Sequence, residues 1–124
     1  MVGDVIVNAT GERGKPAAFY LEIIPHGESI LRIPLRMETV LVGRSPNRCQ
    51  IILDDSRVSR VHLRIARDLD RGVTVSDLHS ANGTIFEGHR LRAGEVITWL
   101  LDQEVIIGRT RLILRYGQAE GNEP

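Results

Sequence analysis

The stretch VHLRIARDLDRGVTVSD, residues 61–77, contains two short alternating runs separated by a turn signal. In VHLRIA (61–66) and in VTVSD (73–77), branched apolar residues alternate with polar ones, which is the pattern of a strand with one buried face. The apolar residues on these faces are Val61, Leu63 and Ile65, followed by Val73 and Val75. The connecting DRG (70–72) is typical of a turn, and we therefore expect strands on both sides of it.

Similar runs occur on both sides of this stretch and are separated by turn residues. Each run is short and rich in Val, Ile, Leu and Thr, and no window sustains the spacing of an amphipathic helix. The further runs are FYLEII (19–24), ETVLVG (38–43), QIIL (50–53), TIF (84–86), EVITWL (95–100), EVIIG (104–108) and RLILRY (111–116). Short strands at this spacing predict an all-β protein, either a sandwich or a barrel.

Length and charge exclude several classes of protein. The 124 residues amount to a single domain, and 16 basic residues cancel 16 acidic ones, so no overall field favours nucleic acid or an anionic membrane. No apolar run approaches the roughly 20 residues of a membrane span. The first ten residues, MVGDVIVNAT, lack the pattern of a secretory signal. The single Cys49 cannot form an internal disulfide, which suits a cytoplasmic protein, and we expect that location.

The two ends of the chain differ in composition from its middle. Residues 1–17 contain several Gly and Pro and no sustained period, and residues 117–124 read GQAEGNEP. Such segments are typical of flexible ends or linkers. We therefore expect a flexible lead-in over 1–17, a folded domain over 18–116, and a tail or the start of a linker over 117–124.

Arginine dominates the basic residues, since fifteen of the 16 are arginine and only Lys15 is lysine. Seven of the arginines fall within residues 43–71: Arg44, Arg48, Arg57, Arg60, Arg64, Arg67 and Arg71. Arginine is suited to two-pronged contacts with phosphate or carboxylate groups. Most surface charges are simply solvated, however, and a single arginine of this kind does not indicate a site.

Two predicted loops carry unusual sets of polar residues. The first set combines Gly43-Arg44-Ser45 with Ser59-Arg60-Val61-His62, and the second runs from Asp77 to Thr84. The loops of a β-sandwich are held by its sheets while their side chains stay free to bind. A guanidinium, a hydroxyl and an amide on converging loops form a donor set that fits the acceptor oxygens of a phosphate group.

In their order and context these motifs resemble the forkhead-associated (FHA) domain over residues 19–116. The pieces that carry the resemblance are G-R (43–44), S-R-x-H (59–62), D-L-x-S-x-N-G-T (77–84), Gly88, Leu91 with Gly94, and I-I-G (106–108). The resemblance implies a sandwich of two twisted antiparallel sheets with the binding loops at one end. It also implies a module that is not an enzyme and that binds phosphothreonine in an extended segment of a partner.

The resemblance further implies a role for each loop residue. Arg44 would contact the phosphate, Ser59 would hydrogen-bond it, and Arg60 would reach the phosphate or the nearby peptide. Asn82 would hold the main chain of the peptide, with Ser80 and Ala81 beside it. Four residues would shape the loops: Gly43, His62, Gly83 and Thr84. The implied partner is a Ser/Thr kinase or its phosphorylated substrate.

Two positions depart from the family pattern. Ala81 lies where many relatives carry a hydroxyl able to help hold the ligand, a contact that Arg60 would have to replace. Glu87 precedes Gly88 where relatives commonly have Asn, which affects only the geometry of a turn. Neither position belongs to the expected phosphate contacts.

Other functions remain as alternatives. A phosphate-independent interaction or self-assembly module would use a sheet face with Ile106, Ile107 and Ile113, and the oligomeric state is open. Catalysis by Ser59 and His62, with Asp77 as the orienting residue, lacks any nucleophile-elbow motif. Cys49 and the histidines lack metal-ligand spacing, so we expect no metal and no cofactor. With few aromatic residues available for stacking, we expect no nucleic-acid partner, and we expect no membrane partner.

Overall fold

The computed structural model describes residues 17–27 and 29–118, which form eleven strands and, within those ranges, no helix. The strands are β1 (Ala18–Ile24), β2 (Leu31–Pro34), β3 (Thr39–Gly43), β4 (Ile51–Ile52), β5 (Leu63–Asp68), β6 (Gly72–Asp77), β7 (Ile85–Phe86), β8 (His89–Arg90), β9 (Val96–Thr98), β10 (Glu104–Ile107) and β11 (Thr110–Gly117). No helix in these ranges is long and apolar enough to cross a membrane.

The strands form two sheets, and the prediction of an all-β sandwich is confirmed. One sheet has six strands in the order β2-β1-β11-β10-β7-β8, and the other has five in the order β4-β3-β5-β6-β9. Neighbouring strands are antiparallel except for the short parallel pair of β3 and β4. The hairpin expected over residues 61–77 is present as β5 and β6, with Ile65 opposite Val75.

Two strands lie outside the runs that the sequence pattern indicated. β2 has no buried side chain in its Leu31–Pro34 stretch, and β8 has only two residues. β7 and β8 are joined by Glu87 and Gly88, which both adopt positive φ, at 47° and 84°. The departure at Glu87 therefore leaves a tight two-residue turn in place, although Glu87 occupies a conformation that favours Asn or Gly.

The core lies between the two sheets and is lined by the inward-facing residues of both. Its fully buried members include Leu21, Val42, Leu63, Val75, Trp99, Val105, Ile107 and Leu112. Trp99 can be fully buried at little cost because its indole N–H donates to the Gln103 carbonyl, which satisfies the one polar atom of the side chain. Ile107 and Ile113 are both buried, and so the sheet face proposed for self-assembly exposes only part of Ile106.

The register of the five-stranded sheet places the two polar loops side by side. Val42 near the end of β3 pairs with Leu63 at the start of β5, and Leu63 pairs with Asp77 at the end of β6. The chain that follows β3, the chain that precedes β5 and the chain that follows β6 therefore leave the sheet at the same end. We refer to this end as the loop end.

The predicted lead-in and tail fall largely outside the described residues. Residues 1–16 and 119–124 are not among them, and so their predicted flexibility stays a prediction. At the domain boundaries, β1 begins at Ala18 and β11 continues to Gly117. Ala18 pairs with Gly117, which brings the first and last residues of the sheet together at the end opposite the loop end.

Candidate functional site

Gly43 brings the end of β3 into close contact with the chain before β5. Arg44 N donates to the Ser59 carbonyl at 3.1 Å, and Ser45 N donates to the Arg60 carbonyl at 3.0 Å. A Cβ atom on Gly43 would lie 2.2 Å from that Arg60 carbonyl oxygen. The glycine is thus required by the close approach of two backbones and not by a positive φ.

This contact places the residues that are predicted to bind the phosphate next to one another. The exposed Arg44 side chain donates from Nε to the Val58 carbonyl, which fixes the guanidinium but leaves its two terminal NH₂ groups free for a ligand. Ser59 Oγ accepts a hydrogen bond from Ala81 N at 2.9 Å, which leaves the hydroxyl proton to donate. Arg60 is exposed beside them. The three predicted phosphate contacts therefore lie on two adjacent segments at the loop end.

Asp77 organises the second loop by accepting hydrogen bonds from residues within it. Its carboxylate accepts from Ser80 N at 3.0 Å, from Ser80 Oγ at 2.5 Å and from Thr84 Oγ1 at 2.6 Å. Burial of this carboxylate would raise its pKa, but the hydrogen bonds from Ser80 and Thr84 outweigh that effect, and the pKa of Asp77 is lowered. Asp77 is therefore a charged, buried support for the loop.

Ser80 is used inside the loop and not on its surface. Its hydroxyl donates to Asp77 and accepts from Gly83 N at 2.9 Å. With its proton and an oxygen lone pair already engaged, the side chain is poorly placed to bind a peptide. Ser80 therefore shapes the loop, and the peptide contact that the family resemblance implied for it stays a prediction.

The side chain of His62 links the two loops by hydrogen bonds to the backbone of each. The fully buried ring accepts from Ser59 N at Nδ1 and donates from Nε2 to the Gly83 carbonyl, both at 3.0 Å. Burial lowers the pKa of His62 and so favours the neutral imidazole, and the two hydrogen bonds fix its tautomer. Because Nδ1 binds the backbone of Ser59 and not its hydroxyl, the pair lacks the geometry of a nucleophile and its general base.

Asn82 stands at the exposed tip of the second loop. Its Nδ2 donates to the Arg57 carbonyl at 2.8 Å, which orients the amide while leaving Oδ1 free to accept from a ligand N–H. The adjoining Gly83 has a φ of 87°, whereas Asn82 itself does not take positive φ. Ala81 is also exposed and contributes its backbone N–H to Ser59. The predicted peptide contact and the predicted phosphate contacts are thus linked directly.

Three residues of the site were not singled out from the sequence. Arg57 supplies the carbonyl that orients Asn82. Arg90 on β8 lies over Gly83, with its guanidinium carbon 2.6 Å from the position of a Gly83 Cβ. Asp55 accepts hydrogen bonds from Arg109 N at 2.7 Å and Thr110 Oγ1 at 2.8 Å. Only the clustering of arginines between residues 43 and 71 hinted at any of them.

A shallow cavity adjoins the segment that precedes Ser59. It has a volume of about 360 Å³ and is lined by Pro25, His26, Asp54, Asp55, Ser56, Arg57, Arg109 and Thr110.

Within the described ranges, no group of His, Cys, Asp and Glu side chains is arranged to hold a metal ion. Cys49 is buried, with Sγ against the Arg60 carbonyl at 3.1 Å, and burial raises the pKa of its thiol.

Comparison with known proteins places the chain among relatives with the same architecture. A family described as the cytoplasmic domain of the inner membrane component of the type III secretion system matches residues 27–118. The FHA domain of a Chlamydia trachomatis protein is 31% identical, with a TM-score of 0.70 over 78% of this chain and 95% of its own. An FHA domain described for its phosphothreonine-dependent interactions is 25% identical, with a TM-score of 0.65 over 77% of this chain and 95% of its own.

A curated relative extends the comparison to a longer protein. The Arabidopsis thaliana homolog of a protein phosphatase 1 regulatory inhibitor subunit is 31% identical over 77 residues, or 62% of this chain. Those residues are 21% of the relative's length, and so the chain spans about a fifth of that protein. The similarity therefore concerns one domain of the relative.

Proposed function

Because the chain belongs to the family described as the cytoplasmic domain of the inner membrane component of the type III secretion system, and has the FHA fold, we propose that it recognises phosphothreonine in a protein partner. The predicted resemblance to FHA domains is confirmed. FHA domains are recognition modules and not enzymes, and we propose that this chain likewise recruits a phosphorylated protein without acting on it. The partner would be a Ser/Thr kinase or its substrate, met in the cytoplasm.

One observation carries this proposal: donors that suit a phosphate group are held close together and left unused. The hydrogen bonds of the exposed Arg44 and the half-buried Ser59 do not use the terminal NH₂ groups of Arg44 or the hydroxyl proton of Ser59, and the two residues lie on backbone-paired segments. Arg60 adds a further guanidinium beside them. Hydrogen bonds between charged groups are stronger than hydrogen bonds between neutral groups. This set of donors therefore favours a phosphate group with two negative charges over a neutral hydroxyl group.

Asn82 would hold the peptide next to its phosphate. With Nδ2 bound to the Arg57 carbonyl, Oδ1 is left to accept an N–H from the main chain of an extended segment. A small apolar niche for the threonine γ-methyl would add at most about 1 kcal/mol in favour of threonine over serine. Because only a few residues of a flexible segment are captured, the expected dissociation constant is on the order of micromolar.

The test is calorimetric titration of three degenerate peptide pools that contain phosphothreonine, phosphoserine or unmodified threonine at a fixed central position. We expect binding to the phosphothreonine pool alone. The Arg44→Ala substitution should weaken it by about 2–4 kcal/mol, because it removes one side of a charged pair. The matched control is Arg64→Ala, since Arg64 is an exposed arginine on β5.

Equal affinity of wild type and Arg44→Ala for the phosphothreonine pool would show that the phosphate contacts are wrongly assigned. Equal binding to the unmodified pool would favour a phosphate-independent interaction module. If Arg64→Ala weakened binding as much as Arg44→Ala, the effect would reflect net charge and not the proposed site.

A further inference from the structure

Arg90 lies on β8, next to the loop that contains Asn82 and Gly83. Both terminal nitrogens of its guanidinium are within 2.9 Å of the point that a Gly83 Cβ would occupy, so the absence of a side chain on Gly83 makes room for Arg90. The side chain of Arg90 is nevertheless exposed. A long cationic side chain is thus packed against the residue next to Asn82 while its donors remain in contact with solvent.

The guanidinium of Arg90 has no acidic partner in the part of the chain that the structure describes. Over the same residues, Arg32 and Arg115 contact Glu22, Arg115 also contacts Asp102, and Arg111 contacts Glu104. These residues lie on strands of the six-stranded sheet, except Asp102, which lies in the turn between β9 and β10. Arg90 therefore differs from them in being placed beside the candidate site and left without a carboxylate.

We propose that Arg90 is a specificity residue that binds a carboxylate side chain of the phosphorylated segment, an Asp or Glu close to the phosphothreonine. This inference rests on the proposed function and deepens it. A guanidinium presents donors in a planar fork that matches a carboxylate, and its packing on Gly83 reduces the freedom that binding would remove. The class of partner is therefore an acidic phosphosegment.

The spacing along the loop separates this contact from the phosphate contact. Ala81 N is bonded to Ser59, whereas Arg90 lies over Gly83, two residues further on. Successive Cα atoms are about 3.8 Å apart, so the two points are separated by up to roughly 7.6 Å. An extended peptide covers that distance in about two residues. A carboxylate about two residues from the phosphothreonine would therefore match the spacing between the Ser59 contact and the Gly83 position beside Arg90.

The experiment compares two phosphothreonine peptide pools with wild-type protein and three variants. One pool contains Asp and Glu at the positions flanking the phosphothreonine, and the other contains Asn and Gln at the same positions. Wild type should bind the acidic pool about three- to tenfold more tightly, the range of an exposed but oriented ion pair. Arg90→Gln should lose this preference and bind the neutral pool as wild type does, and Arg90→Lys should keep part of it.

The matched control is Arg92→Gln, which removes an exposed arginine two residues further along the chain. It should retain the preference. The proposal is overturned if wild type binds both pools equally, if Arg90→Gln keeps the preference, or if Arg92→Gln loses it to the same extent. Weaker binding of both pools by Arg90→Gln would mean that Arg90 only shapes the loop. Failure of wild type to bind either pool overturns the proposed function as well.

Discussion

Two aspartates support the loop end in the same way but through different parts of the chain. Asp77 accepts three hydrogen bonds from Ser80 and Thr84, which lie three and seven residues further on. Asp55 also accepts three, from Arg57 N close by and from Arg109 N and Thr110 Oγ1, which are 54 and 55 residues away. Asp77 thus shapes one loop, whereas Asp55 ties a loop to the turn between β10 and β11.

The two carboxylates also differ in their surroundings. Asp77 is buried beside the neutral ring of His62, with Oδ1 at 3.7 Å from Nε2, while Asp55 is partly open to solvent next to the cavity. Water can replace a lost partner at Asp55 but not at Asp77. Two carboxylates with the same hydrogen-bonding pattern can therefore contribute differently to the free energy of unfolding. Three measurements can test this difference.

The largest effect is expected from Asp77→Ala. The substitution leaves the Ser80 N–H and the hydroxyls of Ser80 and Thr84 without their acceptor in a buried place, which should cost about 3 kcal/mol of unfolding free energy. Urea denaturation measures this loss. Phosphothreonine binding should weaken as well, because the same loop carries Asn82.

The control for Asp77→Ala is Asp70→Ala at the other end of the same hairpin. Asp70 is exposed, and its replacement should change the unfolding free energy by less than about 0.5 kcal/mol. Equal stability of wild type and Asp77→Ala would mean that the loop is supported by the His62 contacts alone.

A smaller effect is expected from Asp55→Ala, about 1–2 kcal/mol, because solvent can satisfy the Arg57 and Arg109 N–H groups that the carboxylate leaves. The neighbouring Asp54 offers a matched control, since it is exposed in the same turn. Asp54→Ala should leave the urea midpoint nearly unchanged. A loss at Asp55 as large as that at Asp77 would contradict the distinction drawn between the two carboxylates.

The difference between these two aspartates also shows which features of the structure could be predicted from the sequence and which could not. The fold class was predictable because alternation in residues 61–77 is a local property of each strand. The loop from Asp77 to Thr84 could be located because its motif is contiguous in the sequence, whereas the hydrogen bonds that Asp77 accepts within it were not predicted. The role of Asp55 was not, because its partners Arg109 and Thr110 meet it only after the two sheets have packed.

Contacts between distant segments also determine what individual loop residues do in the structure. Gly43 stood out in the sequence, but its close approach to the Arg60 carbonyl depends on the pairing of distant segments. Ser80 was in the right loop, yet the direction of its hydroxyl depends on Asp77 and Gly83. Strands β2 and β8 were not predicted from the sequence because neither has an alternating buried face. Motifs locate a site, and long-range contacts decide what each residue in it does.

Acidification is expected to act more gradually than either substitution, and it separates the two supports by pH. Burial lowers the pKa of His62 from 6.5, so between that lowered value and 6.5 the unfolded chain binds more protons than the folded one. Stability contributed by neutral His62 is therefore complete above pH 6.5 and is lost as the pH falls below it. For a single proton the slope is at most about 1.4 kcal/mol per pH unit.

The aspartates act at lower pH. Hydrogen bonds outweigh burial and lower the pKa values of Asp55 and Asp77 from 3.8, so their stabilisation is present above that pH and is lost as it falls through 3.8 towards the lowered values. Urea midpoints measured from pH 7.5 to pH 3 should show two stages of loss. Asp55→Ala should reduce the lower stage and keep the upper one, extended slightly to lower pH because the charge of Asp55 raises the pKa of His62. If the upper stage is missing, or if the His62 ring titrates by NMR at its ordinary pKa, then His62 is not the buried neutral link between the loops.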